Sequence, residues 1–176
     1  ESQRRFLVSH HIVPAARIRV LGAGSSTGVD IRRFEPETRR HDGQRTRDEL
    51  GIGHDAVVVA FVGRVTRDKG IRELVAAFTQ LAGERTDLHL LLVGPQEPDR
   101  DPLPRETRHE ITSNRRIHAV GFTETPERYL AAADLFCLPS YREGFGSVVI
   151  EAGAMRLPSV VTRVTGLVYA MMDEEN

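Results

Sequence analysis

Two stretches of this chain carry residues that could do chemistry. The first is Gly63-Arg64-Val65-Thr66-Arg67-Asp68-Lys69-Gly70, which follows the apolar run Ala56–Val62. Gly63 lets the chain turn and lets a ligand approach the backbone. Arg64 leaves the end of the run, and Lys69 stands at the start of the next helical segment. Two cations beside free helix N–H groups would make a site for a diphosphate. The alternative for Arg64 and Lys69 is a pair of solvated charges flanking a loop. The second stretch is Ser140-Tyr141-Arg142-Glu143-Gly144-Phe145-Gly146-Ser147, running into Val148-Val149-Ile150-Glu151-Ala152. Gly144 and Gly146 leave backbone N–H groups uncovered, and Ser147 is an expected N-cap. Glu143 and Glu151 on one rim could accept hydrogen bonds from sugar hydroxyls; for an arbitrary pair two surface charges is the better reading, but here the glycines and the location at a strand end favour the site.

These residues need elements to place them. Ala56–Val62 is continuous, rich in β-branched residues and closed by Gly63, as in a strand buried on both faces of a parallel sheet. Ile71, Leu74, Val75, Phe78 and Leu81 make one helical stripe. Leu88–Val93, Ile117–Val120, Leu135–Leu138 and Ser159–Thr162 read as further strands. Glu106–Ser113, Pro126–Ala133 and Ser147–Arg156 read as helices, with Pro126 in a first turn where proline is tolerated. Ile18–Leu21 is a short strand candidate running into the turn-forming Gly22–Gly28. Residues 32–48 are charged and nearly free of apolar side chains, and suggest a solvated helix or exposed connector. The alternation of strand and helix predicts an α/β, Rossmann-like doubly wound parallel sheet, with ligands beyond the carboxyl ends of its strands. Residues 1–50 are expected to be a crossover segment and connector, and 51–176 the sheet domain.

Composition narrows the function. The chain has 176 residues, 40% hydrophobic and 28% charged, as expected of a globular α/β domain. Its 24 basic residues balance 25 acidic ones, and there is no tryptophan, so nucleic acid is not an expected partner. The single cysteine, Cys137, lies in an apolar run and reads as a core thiol, in keeping with a reducing compartment. No apolar stretch approaches the ~20 residues needed to span a bilayer, and no signal peptide is visible. No cluster of His or Cys has metal-ligand spacing, and neither a metal nor a cofactor is expected.

Taken in order, Gly63-Arg64, Lys69-Gly70, Leu91–Gly94, Tyr129–Asp134, Leu138-Pro139-Ser140, Glu143–Gly146 and Glu151-Ala152 resemble the C-terminal, nucleotide-sugar-binding domain of retaining GT-B glycosyltransferases of the group 1, or family-four, type. This group includes bacterial mannosyltransferases and sucrose and glycogen synthases. Gly24–Asp30 resembles the segment where such chains cross between their two domains. The resemblance implies that Arg64 and Lys69 hold the donor diphosphate without a metal. It also implies that Glu143 and the amides of Gly144, Phe145 and Gly146 hold the sugar, and that Glu151 holds the ribose. Gly63 and Ser147 complete the expected site. It further implies transfer with retention to a glycan or lipid-linked acceptor held by an N-terminal domain. UDP is the first expectation for the nucleotide. The location would be cytoplasmic, with peripheral association at the inner membrane face. This part alone is expected to bind donor weakly without turnover. A non-catalytic nucleotide-sugar module, or another GT-B enzyme such as an epimerase or phosphorylase, are the competing readings.

Overall fold

The structure, a computed structural model, describes residues 2–20, 28–168 and 170. A helix α1 (Ser2–Ser9) and a single 3-10 turn (Ala15–Arg17) precede α2 (Pro36–Leu50). There follow β1 (Val57–Val62), α3 (Ile71–Glu84), β2 (Leu88–Val93), α4 (Arg105–Ser113), β3 (Ile117–Gly121), α5 (Pro126–Leu130), β4 (Leu135–Leu138), α6 (Ser147–Ala154) and β5 (Ser159–Val161). The five strands form one parallel sheet in the order β3-β2-β1-β4-β5.

That order explains the apolar runs. β1 is flanked by strands on both sides and covered on both faces, so Val58, Ala60 and Phe61 are fully buried, as are Leu90, Leu91 and Leu92 of β2. From α3 the core receives Ile71, Leu74, Val75 and Phe78, at helical spacing; Leu81 falls off this stripe and is exposed. The order also creates a switch point. The chain leaves β1 toward β2 and β3 on one side and leaves β4 toward β5 on the other. Right-handed crossovers therefore put α3 on one face and α6 on the opposite face. Between β1 and β4 the connections diverge and leave a crevice at the carboxyl ends of those strands.

Three expectations change. Residues 18–20 form no strand. Among the described residues no strand pairs with them, and the Ile18 carbonyl accepts a bond from Arg4 Nε at 3.3 Å. Leu21 and residues 22–27, with most of the turn-forming and crossover segment, lie outside the described residues. The charged stretch folds as α2 but is not merely solvated. Its Gly43 meets the backbone of Ala131 so closely that a Cβ there would lie 2.2 Å from the Ala131 oxygen. Thr46 is fully buried. Arg47 donates to the carbonyls of Ala132, His54 and Ala56 and pairs with Asp134 at 2.8 Å. Asp134 in turn accepts from the Val58 amide at 2.7 Å, fastening α2 to the start of β1. Finally, α5 and α6 end at Leu130 and Ala154, short of the expected Ala133 and Arg156.

Cys137 is partly rather than wholly buried, and burial pushes its thiol up to about 11, which leaves it protonated and unreactive at neutral pH. His89 of β2 and His118 of β3 stack and share a hydrogen bond, Nδ1 to Nε2 at 3.0 Å, toward the amino ends of their strands. Burial holds both rings below the ordinary imidazole range.

Candidate functional site

The crevice at the switch point holds a cleft of about 430 Å³. Its walls include Val62 and Gly63 from the end of β1, Leu138 from the end of β4, Lys69, the loop Glu143–Gly146, and Ser147, Val148 and Glu151 of α6. Eight of the nine residues singled out above thus share one cavity: Gly63, Lys69, Glu143, Gly144, Phe145, Gly146, Ser147 and Glu151. Arg64 is the exception.

Glycines let the loops meet. Gly70, the residue before α3, has φ 70° and packs against the β4 loop, where a Cβ would lie 2.1 Å from the Pro139 oxygen. Similarly, a Cβ on Gly94 would lie 1.9 Å from the Gly63 oxygen, so the turns after β2 and β1 touch backbone to backbone. The contact at Gly70 carries Lys69 to the second loop. Lys69 Nζ sits 2.6 Å from Glu143 Oε1, with both side chains 13% exposed. The fully buried Ser140 donates from its hydroxyl to the same oxygen at 2.8 Å. Glu143 is therefore fixed from two sides, by a cation and by a hydroxyl one strand end away. This role of Ser140 goes beyond the sequence motif, where its position three residues before Glu143 is the available signal.

The amide donors come from the start of α6. Gly146, with φ 65°, is the N-cap, and Ser147 is the first helical residue with no side-chain capping bond, contrary to the expected cap. The left-handed backbone at 146 is accessible to glycine, and it starts α6 where Ser147 and Val148 line the cleft. Behind the loop, a Cβ on Gly166 would lie 2.1 Å from the Glu143 oxygen, so the turn after β5 braces it. In front, Gln3 of α1 donates to the Gly144 carbonyl at 2.6 Å.

Glu151 lies on the wall from α6 and is half-buried. Burial raises its carboxyl above the ordinary 4.5; Arg33 opposes that shift and Glu127 adds to it. The sign follows. A raised folded pKa stabilises the fold when the group is protonated, and this contribution is lost as pH rises through the raised value. Arg33 itself is anchored to the buried Glu127 at 2.8 Å and to the Glu124 carbonyl. Neither Arg33 nor Glu127 was singled out from the sequence, because they stand 94 positions apart.

Arg64 points elsewhere. Its guanidinium donates to Glu97 Oε2 at 2.9 Å and to Asp68 Oδ2 at 3.3 Å. Burial alone would raise Asp68. The bond from the Thr66 hydroxyl and the charges of Arg64, Lys69 and Arg142 outweigh it and hold the carboxyl below its ordinary 3.8.

A doubly wound sheet with a cleft at its switch point, lined by the start of α6, a glycine-rich loop and a Lys–Glu pair, marks the chain as an α/β domain with its crevice in the place where such sheets take ligands. The family model described as glycosyl transferases group 1 matches residues 56–176, and the chain belongs to that family. Its fold is the C-terminal, Rossmann-like domain of GT-B glycosyltransferases. It is 27% identical to the capsular polysaccharide biosynthesis glycosyltransferase CapM of Staphylococcus aureus, over 99% of this chain and 45% of CapM. It is 36% identical to the D-inositol 3-phosphate glycosyltransferase of Corynebacterium efficiens, over 96% of this chain and 40% of that protein. It superimposes on HepE of Anabaena, crystallised with UDP and glucose, with a TM-score of 0.71 and 27% identity, covering 83% of this chain and 39% of HepE. The chain therefore spans less than half the length of each. Among the described residues no helix is long and apolar enough to cross a membrane.

Proposed function

We propose that this chain is the donor-binding domain of a hexosyltransferase. It takes a nucleoside diphosphate sugar, a UDP-sugar in our reading, for transfer with retention to a glycan or lipid-linked acceptor held by a separate domain. The observation that carries the proposal is the convergence of Lys69, Glu143, the α6 amides and Glu151 on one cleft at the switch point. The UDP and glucose bound by HepE, and the polysaccharide role in the name of CapM, support the choice of donor and acceptor class.

In this reading Lys69 and the first-turn amides of α6 face the diphosphate. Breaking the bond between the anomeric carbon and the phosphate oxygen leaves negative charge on the departing nucleoside diphosphate. A fixed ammonium and aligned N–H groups stabilise that charge more than they stabilise the intact donor, which is what lowers the barrier. Glu143 accepts from hydroxyls of the sugar, held for that purpose by Ser140. Glu151 accepts from the ribose hydroxyls.

Calorimetric titration of the chain with UDP, GDP and ADP tests the reading. Saturable binding of UDP, weakened about fivefold or more by Glu151→Ala, is expected, since removing an acceptor from a half-buried site costs about 1–3 kcal/mol. Titration with none of the three would contradict it. The same site predicts a pH dependence. Glu151 accepts best as a carboxylate, so UDP affinity falls as pH drops through its raised pKa, starting above the ordinary 4.5. Glu151→Gln, measured over the same range, lacks that component.

A further inference from the structure

The diversion of Arg64 from the cleft calls for an account of its own. The loops after β1 and β2 are stitched together along their length. The Gly63 amide donates to the Val93 carbonyl and the Val65 amide to the Pro95 carbonyl, each at 2.9 Å or less. Val65 and Gln96 form an isolated parallel bridge. The Asp68 amide donates to Asp101 Oδ2 at 2.6 Å. Glu97 follows the bridged Gln96 and is thereby held against the β1 loop, where it meets the Arg64 guanidinium at 2.9 Å. Arg64 is 42% exposed and Glu97 24%, so the pair is half in water and its exchange for another anion is cheap. Lys69, by contrast, is sequestered with Glu143 on the cleft wall. Of the two cations expected to meet the diphosphate, one lies in the cleft and the other is clasped at its edge by a carboxylate of the neighbouring loop.

We propose that Glu97 is a positioning residue that competes with the donor diphosphate for Arg64. In the empty domain Glu97 holds the guanidinium at the cleft edge. An arriving diphosphate, with more negative charge and two faces for bidentate bonding, draws it inward while Asp68, four residues on in the same loop, keeps it on the β1 side. Glu97 therefore sets the affinity for the nucleotide by the strength of its grip, without touching the nucleotide. This rests on the donor-site reading above.

The test is titration of UDP into the chain and its variants, read by calorimetry and by the Arg64 Nε–Hε resonance in ¹⁵N spectra. Removing a competing, half-exposed carboxylate is worth a few-fold, so Glu97→Gln is expected to tighten UDP binding about two- to fivefold. In the UDP-free chain the same variant moves the Arg64 resonance toward its position in the UDP complex. Glu97→Asp, which keeps the charge but draws the carboxylate back by one methylene, is expected to tighten UDP binding less than Glu97→Gln does. In an Arg64→Ala background Glu97→Gln changes nothing, which a merely structural role of Glu97 would not produce. Weaker or unchanged binding in Glu97→Gln, or an effect that survives in Arg64→Ala, overturns the proposal. If UDP still binds and Glu151→Ala still weakens it, only the role of Glu97 has failed. If the parent chain takes up no nucleotide at all, the donor-site reading and this one fall together.

Discussion

Lys69→Met is expected to weaken UDP binding about 10- to 100-fold, the loss that follows when a charge-assisted contact worth about 1.5–3 kcal/mol is removed. In a complete enzyme the same change is expected to lower kcat by about 10²–10³, because Lys69 would act most strongly on the charge that develops as the bond breaks. The variant has a second consequence that fixes its interpretation. Lys69 is the cation within 2.6 Å of Glu143, and both are 13% exposed. Without it Glu143 keeps the Ser140 hydroxyl but loses its counter-charge in a nearly closed place. Destabilisation of about 1–3 kcal/mol is expected from that uncompensated carboxylate. Glu143→Gln introduced together with Lys69→Met restores much of the stability and none of the binding. Thermal unfolding and calorimetry on the two single variants and the double variant check this. Additive stability losses would show that the two side chains do not act as a pair.

Gly70→Ala is expected to destabilise the chain by about 3 kcal/mol or more, although it adds only one methyl group. The residue has φ 70°, where an L side chain costs about 1–2 kcal/mol. The new Cβ would also lie 2.1 Å from the Pro139 oxygen and 2.8 Å from its carbon. Backbone cannot swing aside as a flexible side chain can, so the β1 and β4 loops must part. That parting separates Lys69 from Glu143, and nucleotide affinity falls with stability. Gly53→Ala is the control. Its Cβ would meet nothing within 4 Å, and it should change neither. Denaturant unfolding of the two variants reads the difference directly.

These particulars show which parts of the protein could be read from the residues alone. β1 and β2 were plain because a strand buried on both faces leaves an unbroken apolar run, and each stops at a glycine that begins a turn. Glu143 and Glu151 were plain because the glycines between them mark a loop entering a helix, and the cleft does bring both to one wall. The docking of α2 was hidden. Its buried side is Gly43, Thr46 and the stem of Arg47, none of which an apolar period detects. The 18–20 segment misled in the opposite sense, since its composition suits a strand but no strand among the described residues pairs with it. Serine is a good cap, which favours Ser147 from the sequence, but the left-handed turn just before α6 is met by Gly146, which takes the N-cap position. The direction of Arg64 could not be read at all. It is decided by Glu97, 33 residues away, and by the sheet order that sets the β1 and β2 loops side by side.

The central claim, that the switch-point cleft receives a nucleoside diphosphate, is tested most directly by following backbone amide resonances of the ¹⁵N-labelled chain during addition of UDP. The account predicts shifts concentrated at Gly63, Lys69 and Gly144–Val148, saturating together and disappearing in Glu151→Ala at the same UDP concentration. Shifts confined to the opposite end of the sheet, around His89 and His118, or no shifts at millimolar UDP in a folded chain, would contradict it.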